Sequence, residues 1–215
     1  MQELILKLTK LNTSTIQSVK DFYNGDDPSH DWLHILRLLN QGITFSKALK
    51  ANNSLLIPAI LMHDMINIPK DHHLRSKASE LSSKKAKEIL KSTAYNEEEI
   101  GQISQIILEH SYSANLKATS IESEILQDID KLDAIGAIGI MRWATVGARM
   151  NAKYYEPIDP WAKERELNDQ KFSLDHFENK LLHLNKRLNT DIAKEVGRSR
   201  QSLMLQFINQ LKTEL

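Results

Sequence analysis

The chain has 215 residues, enough for one large domain whose core needs neither disulfides nor a structural metal. Lys+Arg and Asp+Glu both number 28, so the formal net charge is zero and no broad basic field invites duplex nucleic acid or an anionic membrane surface. With no cysteine, a secreted disulfide scaffold and a thiolate zinc site are both excluded.

The N-terminal MQELILKLTK alternates apolar and charged residues and offers no signal-peptide core. No stretch approaches the roughly 20 apolar residues of a membrane span. The expected compartment is therefore the cytoplasm. Apolar residues recur at helical spacing almost throughout, and strand-like alternation is hard to find. Leu4, Leu8 and Leu11, then Ile16, Val19 and Tyr23, predict an N-terminal helix or helix pair, broken at Asn24-Gly25-Asp26-Asp27-Pro28. A helix is predicted from about Asp31 to Lys50 and another from Ser54 or Pro58 to Asp64. Residues 66–76 read as a loop, followed by helices at about 77–92 and 97–110. Asn96 with Glu99, and Thr119 with Glu122, are helix-start signals; the second predicts a helix running to about Arg149. Residues 154–171 hold two prolines and many charges and read as a long loop, before final helices at about 173–188 and 190–213. The expectation is one all-α domain spanning 1–215, its core at about 25–150 and a helical extension at about 172–213.

Chemistry concentrates in three places. His30 and His34 stand four apart, so both can project near one face of a helix. His63-Asp64 ends the apolar run from Leu55 to Met62, where a buried carboxylate needs a partner. Asp128, Asp130 and Asp133 sit in the apolar segment ILQDIDKLDAIGAIGIMR. Gly136 and Gly139 in that segment imply close approach of another helix or a ligand, because each costs a helix about 1 kcal/mol against Ala. Imidazoles and carboxylates from three helices suit a divalent ion with positions left for water: Mn, Fe, Co, Ni or Zn. A ferritin-like diiron site would need Glu-x-x-His pairs, and the sequence has none.

His34, His63-Asp64 and Asp130, in that order, resemble the H…HD…D ligand quartet of the HD phosphohydrolase superfamily. The blocks SHDWLHILR, HDMINIPK, EHSYSA, QDIDKLDAIGAIGIMR and SLDHFENKLLHLNKRLNT further resemble its YedJ-like bacterial branch, over about residues 29–190. Lys131 and Ile129 depart from that branch, which usually has Arg and Ala there. The resemblance implies a single HD-type helical bundle that holds a divalent metal, Mg or Mn included, through His34, His63, Asp64 and Asp130. It implies metal-assisted hydrolysis of a small phosphate ester or anhydride, nucleotide pyrophosphatase activity being the sharper expectation. Asp64 is then both ligand and proton acceptor, and His30 and His110 contact substrate or protonate the leaving group.

Lys70, Arg75, Lys131 and Arg142 are candidate phosphate partners, since a polyanionic substrate needs cations beyond the metal. Lys70 and Arg75 follow His63-Asp64 on the predicted loop, and Arg142 stands about three turns beyond Asp130 on the same predicted helix. The alternative is a non-catalytic HD-fold module that senses or binds a nucleotide. The expected partner is a small phosphorylated molecule, with no duplex and no membrane; a homodimer is compatible with the sequence.

Overall fold

The computed structural model describes residues 1–25, 30–68, 74–111 and 115–215, apart from the side chain of Arg75. The chain divides into two compact units, Met1–Asp130 and Lys131–Leu215. Among the described residues the fold is all-α, with one isolated bridge, Lys153 to Phe172, as the only extended pairing.

The first unit contains α1 (Gln2–Leu8), α2 (Thr13–Asp21), α3 (Trp32–Leu49), α4 (Asn53–Met62), α5 (Ala78–Leu90), α6 (Glu97–Glu109) and most of α7 (Ile121–Asp133). α4 is its centre. Leu56 through Met62 are all buried, so the helix is apolar on every side, and α1, α3, α5 and α6 pack around it. Pro58 lies inside it and cannot donate to the carbonyl of Ser54, four residues back. The Tyr95 hydroxyl fills that gap, donating to Ser54 O at 2.7 Å. α3 comes close to α4 through Gly42, where an added Cβ would lie 2.5 Å from Ile60 Cδ1 and 3.3 Å from Ile129 Cδ1.

Helix starts follow the polar caps. Asp31 caps α3 and Asn52 caps α4, which begins at Asn53. The Asn96–Glu99 capping box opens α6 as the sequence predicts. Before α7 the cap is Ser120, whose hydroxyl accepts from Ser123 N at 3.1 Å. The expected cap, Thr119, instead bonds Glu109.

The second unit contains the end of α7, α8 (Gly136–Arg149), the short α9 (Asp175–Asn179), a 3-10 helix at Leu181–Arg187, and α10 (Asp191–Glu214). α8 and α10 pack together, with Trp143, Phe177 and Phe207 in mutual ring contact. Arg165 grips Asp175 through both guanidinium nitrogens, anchoring the loop ahead of α9.

The single helix predicted to run to Arg149 is two. Ile135 is extended, and Gly136 takes a φ of +78°, a left-handed value that glycine reaches without a Cβ clash. At Gly139 a Cβ would lie 2.4 Å from Ala134 O, so this glycine accommodates the turn between the helices. The predicted 173–188 helix likewise splits at Lys180, whose φ of −139° ends α9. The three-residue step from Leu181 to Leu184 fits the 3-10 helix that follows.

Candidate metal centre

His34 is the third residue of α3, placed by the Asp31 cap that accepts its backbone N–H at 3.0 Å. His63 directly follows α4 and His110 directly follows α6 as their C-caps, and both keep helical backbone angles. Each ring turns back on its own helix: His63 Nδ1 lies 2.9 Å from Ile60 O and His110 Nδ1 2.6 Å from Ile107 O. A carbonyl only accepts, so both Nδ1 atoms carry the proton and both rings present Nε2 to the site.

The rings form a chain, with centroids 6.0 Å apart for His30–His34, 5.5 Å for His34–His63 and 4.8 Å for His63–His110. His34 Nε2 is 3.8 Å from Asp130 Oδ1. The Asp64 carboxylate lies between two imidazoles, Oδ2 3.5 Å from His63 Nε2 and Oδ1 3.4 Å from His110 Nε2. Donor atoms of His34, His63 and Asp130 all lie within 4.8 Å of one another, as do those of His63, Asp64 and His110. An ion bonded at about 2.0–2.2 Å holds neighbouring ligand atoms roughly 3–3.5 Å apart, which is the scale of these separations.

Electrostatics favour a cation here. Burial drives the His63 pKa down to about 4, against partial compensation from Asp64, so the ring is neutral and its Nε2 lone pair is available. That nitrogen is buried and has no hydrogen-bond partner among the described residues. Burial would raise Asp64, but His63, His110 and His30 hold it well below the ordinary carboxylate range. Asp130 is lowered too, its burial outweighed by His34 and His63. His110 is raised: burial works against its charged form, and the contact with Asp64 prevails. Two ionised carboxylates and a lone-pair nitrogen in a buried cluster fit a divalent ion with mixed nitrogen and oxygen ligands.

The structure thus brings His34, His63, Asp64 and Asp130 together and adds His30 and His110 beside them. Asp128 is fully buried on α7. Of the four phosphate-partner candidates, two have described side chains. Lys70 lies outside the described residues, as does the Arg75 side chain. Lys131 is buried. Arg142 is on α8 rather than on the helix of Asp130, and pairs with Asp133 at 2.7 Å.

Three further buried polar residues carry no site signal in the sequence. Tyr23 is buried, and its hydroxyl donates to Leu61 O at 2.8 Å beneath the His63-Asp64 turn. Its pKa is raised well above the ordinary value by burial and by the Asp64 charge. A buried tyrosine hydroxyl needs a partner. Glu109, next to His110, and Gln127, three residues before Asp130, are buried and linked by a bond from the Gln127 amide to the Glu109 backbone carbonyl.

Comparison with known proteins agrees with this geometry. The HD domain family model matches residues 32–135, a span that includes every residue of the cluster except His30. An HD-superfamily hydrolase from Bacillus thuringiensis, solved by crystallography, is 32% identical over 99% of this chain and 97% of its own, with a TM-score of 0.72. YpgQ of Bacillus subtilis (strain 168) is 29% identical over 202 residues, 92% of this chain and 90% of its own. Its crystal structure in complex with ADP aligns with a TM-score of 0.70 at 28% identity, over 94% of this chain and 93% of that one. No described helix is long and apolar enough to cross a membrane. The all-α fold, the His/Asp cluster inside the matched span and near full-length similarity to a solved member lead to one assignment: this chain belongs to the HD superfamily and has its hydrolase fold.

Proposed function

We propose that this protein is a divalent-metal-dependent phosphohydrolase of the cytoplasm that cleaves a phosphoanhydride of a nucleotide, releasing pyrophosphate from a nucleoside triphosphate. The observation that carries the reading is the buried, lone-pair Nε2 of His63 set beside the ionised Asp64, with Asp130 close by. The ADP bound to the related YpgQ supports a nucleotide as the ligand class.

His34, His63, Asp64 and Asp130 would hold the ion, with manganese one candidate among the first-row metals. When bound, such an ion supplies Lewis acidity and lowers the pKa of water. Asp64 is ionised and one-fifth exposed, so it can receive a proton from the attacking water. His110, whose pKa is raised by the contact with Asp64 against its burial, can deliver one from Nε2 to the leaving oxygen. His30, at the end of the ring chain, contacts the substrate. With Arg142 engaged by Asp133 and Lys131 buried, the phosphate tail falls to Lys70 and Arg75, which follow the His63-Asp64 pair in sequence.

The test is a phosphate- and pyrophosphate-release screen over nucleoside mono-, di- and triphosphates with Mn, Co, Ni and Mg, run beside Asp64→Asn. Metal-dependent pyrophosphate release that Asp64→Asn abolishes is the expected result. Tight nucleotide binding without turnover under every metal would instead make the protein a nucleotide-binding module.

A further inference from the structure

His110 sits one residue past the end of α6, on a segment that must cross to α7 before reaching Asp130. Two buried side chains bond the described residues on either side of it. Gln127 of α7 spends both amide protons on carbonyls: Nε2 donates to Glu109 O at 2.8 Å and to Leu116 O at 3.0 Å. These two carbonyls stand on either side of His110 in the sequence, so one amide holds described backbone before and after it. The Glu109 carboxylate completes the tie. Oε1 accepts from Gln105 Nε2 at 2.7 Å and from Thr119 Oγ1 at 2.8 Å, and Oε2 accepts from Thr119 N at 3.0 Å. Burial would raise the Glu109 pKa, yet donors from Ser123, Gln105 and Thr119 hold it below the ordinary value, so the residue acts here as a carboxylate.

The location links this network to the site. Gln127 precedes Asp130 by three residues, less than one helical turn, so both project from neighbouring positions on α7. Glu109 is covalently next to His110. A single network therefore joins the backbone that carries His110 to the helix that carries Asp130. The His110–Asp64 contact of 3.4 Å is longer than an ordinary hydrogen bond, and its own geometry restrains it only weakly.

We propose that Gln127 and Glu109 form a latch that positions His110 against Asp64, with Gln127 the positioning residue and His110 the group it aims. This rests on the hydrolytic reading above. Neither Gln127 nor Glu109 is among the grouped donors of His34, His63 and Asp130. Loss of the latch therefore reduces the proton transfer assigned to His110 while leaving metal and substrate affinity nearly intact.

The experiment uses the full chain with Gln127→Met, which keeps volume and removes both donors, and Thr119→Val at an exposed position. Three quantities are read: kcat and KM for pyrophosphate release, the Kd of Co²⁺ for metal-stripped protein by titration, and the His110 ring C–H resonances. For Gln127→Met the expected kcat loss is about tenfold or more, the usual cost of removing an outer support, with KM and the Co²⁺ Kd within about threefold of wild type. The His110 resonances shift. Thr119→Val, which keeps the Gln127 clasp, shows the same pattern at smaller amplitude, and it decides the matter if Gln127→Met does not fold. Unchanged kcat and unchanged His110 resonances, with only a lower Tm, would reduce the latch to packing. Should the wild-type protein hydrolyse no nucleotide, the hydrolytic reading fails; the His110 resonances then still decide whether the latch positions that ring.

Discussion

Replacing Asp64 by Asn changes one oxygen to nitrogen and removes one charge from a carboxylate that lies 3.5 Å from His63 Nε2 and 3.4 Å from His110 Nε2. The fold should survive, because the residue is partly exposed and the amide fills the same volume. The metal should not bind as before. Losing an outer support costs about 10–100-fold in metal affinity, and losing a direct ligand costs at least the upper figure. With metal at 100 times the wild-type Kd, binding stabilises the native state by about 2.7 kcal/mol; after a 100-fold loss the same metal contributes roughly 0.4 kcal/mol. At about 2–4 °C per kcal/mol for a chain of this size, the metal-induced rise in Tm falls from roughly 5–11 °C to 1–2 °C. The assay is a thermal melt of stripped protein across a Mn²⁺ or Co²⁺ series, paired with turnover. An Asn variant that keeps the full metal-induced shift would show that Asp64 does not ligate, and near-normal turnover would remove its role as proton acceptor.

Other perturbations test the surrounding structure. Tyr95→Phe leaves Ser54 O without the hydroxyl that stands in for the Pro58 N–H, so stability should drop by about 1–3 kcal/mol in urea melts with kcat unchanged. Gly42→Ala forces a methyl to within 2.5 Å of Ile60 Cδ1 and should cost about 1–3 kcal/mol. Ile60→Val deletes that atom and should recover part of the loss; no recovery would mean the clash lies elsewhere. His63 titrates at about 4 when folded against an ordinary 6.5, so between those values the unfolded chain binds the extra proton and stability rises with pH. In chelator, the stability difference between wild type and His63→Gln should therefore shrink as pH falls from 6.5 toward 4, by up to about 3 kcal/mol. The subtraction is needed because His110 shifts the other way, and a pH-independent difference would contradict the burial argument. Arg75→Ala should raise KM for a nucleoside triphosphate far more than for a small aryl phosphate; equal losses on both would mean Arg75 does not read the phosphate chain.

Local signals were legible where the sequence alone sets them. The Asn96–Glu99 box opens α6 as read, because a cap depends on residues three apart. The grouping of His34, His63-Asp64 and Asp130 was legible through the resemblance to the H…HD…D motif, with the polar pair closing the apolar run of α4 as its local sign. What escaped depends on tertiary structure or on a single backbone angle. Apolar spacing runs across Ile135 and Gly136 without interruption, so nothing in the periodicity shows that the helix stops there and carries Arg142 onto a separate segment. The Tyr95 hydroxyl reaches Ser54 across 41 positions, and Gln127 reaches Glu109 across 18. Such pairings leave no local pattern. A buried amide or phenol shows that a partner exists and does not say which.

The placement of His63 and His110 follows from a property of helix ends. The last carbonyls of a helix have no intrahelical N–H to receive, and a side-chain donor nearby can satisfy one of them. At both α4 and α6 the donor is the Nδ1 of a histidine at the end of the helix, reaching back three residues to Ile60 or Ile107. The bond fixes the tautomer, and the same bond directs Nε2 away from the helix. Many ligating histidines need a separate carboxylate or carbonyl to orient them. For His63 the helix that delivers the residue also supplies that acceptor, so an apolar run ending in His carries this ligand's orientation within its own sequence. One position further on, the chain has left the helix, and Asp64 can turn its two oxygens to separate imidazoles, one from each helix end. The His-Asp dipeptide acquires this meaning only at the close of a buried helix such as α4. In His30-Asp31, ahead of α3, the aspartate is spent on capping the backbone of His34.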